Sequence, residues 1–200
     1  MNSSNALKKE EIAATAGKLF AEYGFKSVSM EQISTSASVA KGTLYLYFTD
    51  KEDLLTHLVR GELLRIKDMV EEIERESLPF LDEIHQVVYR VLMYRQNQKF
   101  IYKLMREALE LKTPSAVRAV KRIDAEIHRY LQNRLQEAMD QGIIRRTDPA
   151  ISSFVILKVY SALAFEWEDG HESLNEKQIA ESVSLFIRDG MLIKEGSLNQ

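Results

Sequence analysis

The chain has no cysteine, and its 200 residues include only eight glycines and three prolines. Without cysteine there is no disulfide, no thiolate zinc site and no cysteine nucleophile. The absence also fits a reducing compartment. Glycine and proline are the residues that most disfavour a helix interior, so their scarcity leaves room for long helices. The composition therefore excludes disulfide-stapled folds and favours a helical one.

Long apolar runs are missing as well. The longest apolar-rich stretch, 154–165, is interrupted by Lys158 and Ser161 and is shorter than the roughly 20 residues that cross a bilayer. The N-terminal sequence MNSSNALKKEE has no apolar segment of signal-peptide length. We therefore expect a cytoplasmic protein without a membrane partner.

Arginine is absent from residues 1–55, where six lysines face seven aspartates and glutamates. The whole chain has a formal net charge of −3. Neither net charge indicates a nucleic-acid partner, because DNA affinity usually depends on phosphate neutralisation by Lys and Arg. If this segment binds DNA, we expect modest non-specific affinity and heavy use of hydroxyls, backbone amides and helix N-termini. The bidentate guanine contact of arginine is excluded from it.

Apolar residues recur at intervals of three and four along the chain, which is the spacing of amphipathic helices. The pattern predicts an all-α protein with about nine helices. We expect them at about 8–23, 30–37, 40–47, 51–77, 79–95, 98–112, 114–141, 149–168 and 176–193. Short helices give way to long ones near residue 50. This change predicts one domain at 1–55 and a second at 56–200.

Capping signals mark several of the predicted helix ends. Gly24 and Gly142 follow helical stretches and suit the left-handed conformation in which helices often stop. Ser29 and Gln32 have the spacing of a capping box, in which each side chain bonds the other residue's amide. Asp50 caps a further helix, and Asp148-Pro149 opens another.

The segment VAKGTLYLYF, at 39–48, mixes lysine, threonine and tyrosines in a way that a purely structural helix does not need. It follows a short helix and a tight turn near Ser38, and a longer first helix buttresses the pair. This layout predicts a helix-turn-helix, whose second helix enters the DNA major groove with its N-terminal residues leading. The predicted outward residues are Lys41, Gly42, Thr43, Tyr45 and Tyr47. Leu44 and Phe48 are four apart and should point into the core.

Each outward residue suits contact with DNA. Gly42 costs roughly 1 kcal/mol of helix stability relative to alanine, but its missing side chain permits close approach. Lys41 can reach a phosphate or a guanine edge. The hydroxyls of Thr43, Tyr45 and Tyr47 can donate to phosphate oxygens.

Residues 8–55 resemble the DNA-binding domain of the TetR family of bacterial transcriptional regulators. The matching run extends from Ile33 to Leu55, above all in KGTLY, YF and KEDLL, with Phe20 and Gly24 matching upstream. The resemblance implies a ligand-responsive regulator, usually a repressor, without a cofactor. It implies that Ser29 meets the DNA backbone and that Tyr47 and Lys51 contact phosphates. The residues that it places in the major groove are Lys41, Gly42, Thr43, Tyr45 and Leu46.

Two residues depart from the family pattern. Ser38 stands where the family usually has a turn glycine, so a left-handed conformation there would cost about 1 kcal/mol or more. Ala40 replaces the usual capping serine, which removes roughly 1 kcal/mol of helix capping. We therefore expect a recognition helix that is less firmly preorganised.

The second domain should dimerise, because a helix-turn-helix normally reads paired half-sites. The last two helices resemble the family's dimer seam, and their apolar faces contain Ile151, Val155, Phe165, Val183, Phe186 and Ile187. This domain is also expected to bind a small-molecule effector. Large, adaptable side chains suit an apolar pocket, and the candidates are Tyr89, Met93, Phe100, Tyr102 and Met105. The residues leave open whether the effector is acyl or lipid-like, or cationic and drug-like.

Catalytic and metal-binding motifs are absent from the sequence. The four histidines, at 57, 85, 128 and 171, are not in H-E-x-x-H, and neither a Walker loop nor G-x-S-x-G occurs. We expect no enzyme, no catalytic residue and no metal. The alternative function is a helical dimer that binds protein partners and keeps a vestigial helix-turn-helix.

Overall fold

The structure, a computed structural model, describes the backbone of residues 3–191 and the side chains of residues 5–186. Within these residues the chain is all-α, with nine α-helices and no β-strand. The helices are α1 (Ser3–Tyr23), α2 (Met30–Ser36), α3 (Lys41–Tyr47), α4 (Lys51–Arg75), α5 (Phe80–Asn97), α6 (Lys99–Arg106), α7 (Pro114–Asp140), α8 (Pro149–Ser161) and α9 (Glu176–Met191). The predicted fold class is confirmed. The predicted end of the last helix at 193 lies outside the described residues.

Local capping chemistry sets several helix ends, as the sequence predicted. Gly24 has φ +85° after α1, and Gly142 has φ +70° after α7, both in the left-handed region that glycine adopts freely. The Asp148 carboxylate caps α8 by accepting the amides of Ala150 and Ile151 at 2.8 and 3.2 Å. Among the helix starts, only that of α1 differs clearly, because no helix breaker stands between Ser3 and the predicted start at residue 8.

Two helices end differently from the prediction, because each passes into a π-helical turn. The turn Glu107–Leu111 follows α6, and the turn Ala162–Glu166 follows α8. A π-turn is a wider turn with i→i+5 hydrogen bonds, and it is often found at functional sites. The apolar spacing predicted continuous α-helices here, because it does not distinguish one wide turn from a normal one.

The described residues fall into two compact units. Unit 1 comprises residues of Met1–Lys67 and Tyr94–Asp124, and unit 2 comprises residues of Asp68–Met93 and Ala125–Gln200. The divisions fall inside α4, α5 and α7. As a result α6, its π-turn and the start of α7 belong to the same unit as the helix-turn-helix.

Unit 1 has one apolar core formed by α1–α4 and α6. Helix α6 packs along α1, where the Phe100 ring stacks on the Phe20 ring at 6.4 Å between centroids. The Phe25 ring meets Phe20 edge-on at 5.2 Å. Other fully buried side chains of this core are Ile12, Ile33, Leu44, Phe48 and Leu54.

Unit 2 contains a buried, fully bonded carboxylate. Glu83 of α5 accepts Nε and Nη2 of Arg134 at 2.7 Å each, and the Tyr130 hydroxyl at 3.1 Å. Burial raises the pKa of Tyr130 above its usual range, so the phenol stays neutral and donates this bond. A buried charge is tolerated only when it is paired and hydrogen-bonded, as this one is.

Helix α8 has several large apolar side chains that the described residues leave exposed, namely Ile151, Phe154, Val155 and Val159. The 18 residues Pro149–Glu166 are long and apolar enough, by length and composition alone, to cross a membrane, and only 17% of them are buried. The sequence prediction considered the shorter stretch 154–165. Exposed apolar side chains that cluster on one helix are typical of sites that contact protein or lipid.

Candidate nucleic-acid interface

Helices α2 and α3 form the predicted pair of short helices joined by a tight turn. The Ser29 hydroxyl accepts the amide of Gln32 at 3.2 Å, and the Gln32 side chain accepts the amide of Ser29 at 2.7 Å. Ser38 lies in the turn with φ +52°, the left-handed conformation that its position requires. Ala40 begins α3 without a side-chain hydrogen bond. The capping box is therefore present, and the strained turn residue and the uncapped helix start are as expected.

Helix α3 has one buried side and one exposed side. Leu44 and Phe48 are buried in the unit 1 core. On the opposite side, Leu46 is 84% exposed and Tyr45 is 45% exposed. The remaining predicted contact residues of this helix, Lys41, Gly42, Thr43 and Tyr47, are exposed or half-buried. This exposed side of α3 is therefore free of contacts that would keep it from a partner.

Gly42 lies at the exposed N-terminal end of α3. A Cβ atom built on Gly42 would meet nothing within 4 Å, so the chain itself does not require glycine at this position. The glycine instead keeps the helix surface flat. In a helix-turn-helix, the N-terminal residues of the second helix are the ones that approach base edges.

Lys51 is engaged within unit 1. Its ammonium donates to the backbone carbonyls of Phe25, Val28 and Lys26 at 2.8, 2.7 and 3.3 Å, and it lies 4.5 Å from the centroid of the Phe25 ring. Burial lowers the pKa of Lys51, and the carboxylates of Glu107 and Glu52 oppose this effect. The phosphate contact of Lys51 stays a prediction, and the structure gives this residue a second task of fixing the loop between α1 and α2.

A second side chain holds the same loop from α6. The buried carboxylate of Glu107, the first residue of the π-turn, accepts the Lys26 amide at 3.1 and 3.3 Å through its two oxygens. Gly24 is required beside it, because a Cβ there would lie 3.0 Å from Glu107 Oε2 and the backbone has φ +85°. Two side chains therefore hold the loop that leads to Ser29. The Lys51 ammonium donates to its carbonyls, and the Glu107 carboxylate accepts the Lys26 amide.

Sequence reasoning missed Glu107, and no local signal identifies it. The glutamate lies 81 residues from its partner amide and is surrounded by an ordinary helical pattern. Tyr47 also has an unforeseen partner, because its hydroxyl donates to the Asn5 side chain at 3.3 Å. This hydrogen bond lies at the exposed surface, and the phosphate contact predicted for Tyr47 stays a prediction.

Residues 11–58 match the family model described as bacterial regulatory proteins, tetR family. This range covers the helix-turn-helix, its capped entry and the start of α4. These residues form a DNA-binding domain of the TetR family. The chain is a DNA-binding transcriptional regulator.

Relatives along the whole chain agree with the TetR assignment. The Bacillus subtilis (strain 168) protein called uncharacterized HTH-type transcriptional regulator YhgD is 29% identical over 184 residues, which cover 92% of this chain and 96% of YhgD. The fatty acid degradation regulator FadR from Bacillus halodurans has the same fold, with a TM-score of 0.70 and 19% identity over 92% of this chain and 95% of FadR. AibR in complex with isovaleryl coenzyme A and operator DNA superposes with a TM-score of 0.60 and 19% identity, covering 88% of this chain and 95% of AibR.

The residues predicted for an effector pocket are divided between the two units. Phe100 packs on α1 in unit 1, and Tyr102 lines a surface groove there. In unit 2, Tyr89 stacks on His85 at 5.7 Å between ring centroids, and Met93 is half-buried. Met105 is half-buried in unit 1. A pocket that unites these residues stays a prediction.

The predicted dimer residues lie mostly on exposed surface of unit 2. Ile151, Val155 and Phe186 are exposed and line one apolar groove of about 460 Å³ between α8 and α9. Val183 lines the same groove but is itself buried, and Phe165 is half-buried in the second π-turn. The side chain of Ile187 lies outside the described residues. Within residues 5–186, no group of three or more His, Asp and Glu side chains could hold a metal ion.

Proposed function

We propose that this TetR-family regulator is a homodimeric repressor that binds operator DNA in the cytoplasm and leaves it when a small effector binds. The observation that carries the proposal is the exposed face of α3, which offers Tyr45 and Leu46 beside a bare Gly42. In this proposal residues 1–55 read the DNA, and residues 56–200 dimerise and bind the effector. The protein acts by binding and has no catalytic residues.

The contacts with DNA divide by chemistry. Lys41, Gly42, Thr43, Tyr45 and Leu46 face the bases and nearby phosphates of the major groove. Ser29, Tyr47 and Lys51 contact the backbone. Apolar contact from Leu46 suits a thymine methyl group, and a lysine suits guanine O6 and N7.

The dimer proposal rests on the apolar groove between α8 and α9. Two copies that cover this surface would remove Ile151, Val155 and Phe186 from water, and burial of apolar area drives most association. The same pairing accounts for the uncovered apolar length of Pro149–Glu166 without a membrane.

The hydrogen-bond partners of the buried charged side chains favour an effector with an acyl group over a cationic effector. The buried carboxylates of the described residues, Glu62, Glu83 and Glu107, all have donors within the chain. By contrast, Arg95 Nε is buried without a hydrogen-bond partner in the described part of the chain, while Nη2 pairs with Asp124 at 2.9 Å. A buried donor is costly until an acceptor is supplied. A carboxylate, thioester carbonyl or phosphate oxygen of the effector would supply it.

Two solved structures with this fold support the same choice by their ligands or pathways. FadR is named for fatty acid degradation, and AibR was solved with isovaleryl coenzyme A. We propose that the effector lowers operator affinity by binding one of two dimer conformations more tightly than the other. The shift can be no larger than the difference between these two affinities.

Operator binding is tested by fluorescence anisotropy on DNA from upstream of the protein's own gene, with scrambled DNA for comparison. If neither fragment is bound specifically, sites are selected from a random library. Tyr45→Ala with Leu46→Ala should reduce specific binding at least tenfold, because it removes the exposed base-facing side chains. The matched control is Leu109→Ala, which removes a leucine that is 78% exposed in the π-turn after α6.

The outcome separates the proposal from its alternative. Operator affinity that survives the α3 changes, in a protein with an unchanged circular dichroism spectrum, would contradict the assigned DNA face. Failure to select any sequence would support the alternative of a helical dimer with a vestigial helix-turn-helix.

The effector class is tested by adding ligands to the complex with operator DNA. Fatty acids and acyl coenzyme A of several chain lengths should release the DNA, whereas quaternary ammonium amphiphiles should not. Arg95→Met should weaken release by the acyl ligands and leave operator affinity unchanged. Release by the cationic amphiphiles alone would contradict the acyl assignment.

A further inference from the structure

We infer that the DNA-binding surface extends beyond the helix-turn-helix onto α6, where a basic groove contacts the phosphate backbone that flanks the operator. This inference rests on the proposed function. The cations that it invokes lie outside the 1–55 segment to which DNA contacts were assigned.

The groove lies between α6 and the end of α1 within unit 1. It has a volume of about 400 Å³, and the side chains that matter for DNA are those of Tyr23, Ser27, Lys99, Tyr102, Lys103 and Arg106. Both tyrosines are exposed, so their hydroxyls can donate to phosphate oxygens alongside the cations. Cations interleaved with hydroxyls are the groups that follow a nucleic-acid backbone.

Its cations exceed its anions. Arg106 is paired with Glu110, and the carboxylate of Glu107 is already engaged by the Lys26 amide. Lys99 and Lys103 have no ion-pair partner among the residues that the structure describes. The Glu107 carboxylate keeps its negative charge when it accepts an amide, so three cations against two carboxylates leave the groove with a net charge of +1 per protomer.

The packing of α6 on α1 supplies the charge that the helix-turn-helix domain lacks. Residues 1–55 contain six lysines against seven acidic residues, whereas 94–124 contain eight Lys and Arg against three acidic residues. The whole of unit 1 has 17 basic and 11 acidic residues, and unit 2 has 10 basic and 19 acidic residues. The chain thus gathers its basic residues into the unit that carries the recognition helix, as expected for binding that depends on phosphate neutralisation.

The groove is continuous with the predicted backbone contact at α2. Ser27 lines it and lies two residues before Ser29, the N-cap of α2. A DNA strand whose phosphate meets Ser29 continues past the operator half-site, and Ser27 joins this position to the groove that holds Lys99 and Lys103. Continuity with the helix-turn-helix favours flanking DNA over a free anionic ligand.

The test measures the salt dependence of operator binding by the full-length dimer. The variant is Lys99→Gln with Lys103→Gln, and the DNA is the operator either with about ten flanking base pairs per side or trimmed to the half-sites. On long DNA the slope of log K against log salt should fall by about one for each lysine that no longer neutralises a phosphate. Affinity at low salt should fall roughly tenfold or more. On trimmed DNA the variant and the wild type should agree.

A charge-matched control is Arg129→Gln with Lys177→Gln, which removes two exposed cations of unit 2. The proposal is overturned if the groove variant keeps the wild-type slope, if the control variant loses as much slope, or if the loss is the same on trimmed DNA. It is also overturned if the groove variant binds DNA normally but loses binding of coenzyme A, since the groove would then be an anion site. Absence of any specific binding by the wild type would instead remove the proposed function itself.

Discussion

Single residues decide how the recognition surface is built, and Gly42 shows this best. It occupies a helix in open space, with no left-handed backbone and no neighbour that excludes a side chain. Stability alone would favour alanine there. Ser38 shows the opposite case, because its φ of +52° imposes strain on a residue other than glycine.

Gly42→Ala is expected to stabilise the fold and weaken operator binding. The free energy of unfolding should rise by up to about 1 kcal/mol, because alanine is the better helix former. Operator affinity should fall because the added methyl group holds α3 away from the bases. Urea denaturation and anisotropy measure the two effects.

The control for this change is Gly61→Ala in α4, where an added Cβ also meets nothing within 4 Å. It should produce the same gain in stability without a change in operator affinity. Equal operator affinities for the two variants would contradict a role for Gly42 at the DNA surface.

His85 is expected to make the stability of unit 2 depend on pH. Burial lowers the pKa of His85 below its usual 6.5, although Glu176 and Asp82 oppose the shift. Its Nδ1 lies 3.1 Å from the Tyr160 hydroxyl. The unfolded chain therefore binds more protons than the native chain just below pH 6.5, and stability falls as the pH falls through that value.

Thermal unfolding between pH 7.5 and 5.5 measures this effect. His85→Gln, which keeps a polar group near Tyr160, should lessen the drop in melting temperature. His171→Gln, at an exposed position, should leave the drop unchanged. Equal drops in all three proteins would show that His85 does not carry the pH dependence.

At the scale of elements, the loop between α1 and α2 is held by contacts from two other helices. The Glu107 carboxylate accepts the backbone amide of Lys26 in this loop, and the Lys51 ammonium donates to three backbone carbonyls of the loop. This arrangement orients the N-terminus of α2. It also ties α6 to the helix-turn-helix, so a change in α6 acts on the DNA-reading part through named bonds.

Glu107→Ala should lower the free energy of unfolding by about 2–3 kcal/mol, because it leaves the Lys26 amide without its acceptor and removes a counter-charge near Lys51. Operator affinity should fall with it. Chemical denaturation and anisotropy provide the measurements. Glu110→Ala, which removes an exposed carboxylate paired with Arg106, should cost at most about 1 kcal/mol. If both variants lose a similar free energy of unfolding, the contact between Glu107 and Lys26 does not stabilise the fold more than an exposed ion pair does.

At the scale of the whole molecule, the groove between α8 and α9 is lined by apolar side chains that the described residues leave exposed. Val155 is 49% exposed and Phe186 is 73% exposed beside the same groove. Under the proposed function the partner is a second copy of the chain, because a helix-turn-helix normally reads paired half-sites.

Val155→Glu should convert the dimer to a folded monomer, because it puts a charge on the apolar surface that two copies would share. The monomer should lose operator binding by at least tenfold. Analytical ultracentrifugation and anisotropy measure mass and affinity. Leu109→Glu, at an exposed apolar position outside this surface, should stay dimeric. If the Val155→Glu protein remains dimeric, the dimer interface does not lie on this surface.

The sequence by itself determined the features that depend on neighbours along the chain. Gly24, Ser29 and Asp148 mark helix ends because a cap involves residues at most a few positions apart. The two-sided character of α3 followed from the four-residue spacing of Leu44 and Phe48, which puts both on one helix face. The same short-range patterns gave the helix count and the family resemblance.

Only the tertiary structure decided which faces meet. The bond from Lys26 to Glu107, the three carbonyls around Lys51 and the placement of the α6 lysines beside Ser27 all join distant residues. Apolar periodicity specifies that a helix has a buried face, but it does not specify the partner of that face. For this reason residues 1–55 read alone look too acidic for a DNA-binding domain, whereas the folded unit that contains them is basic.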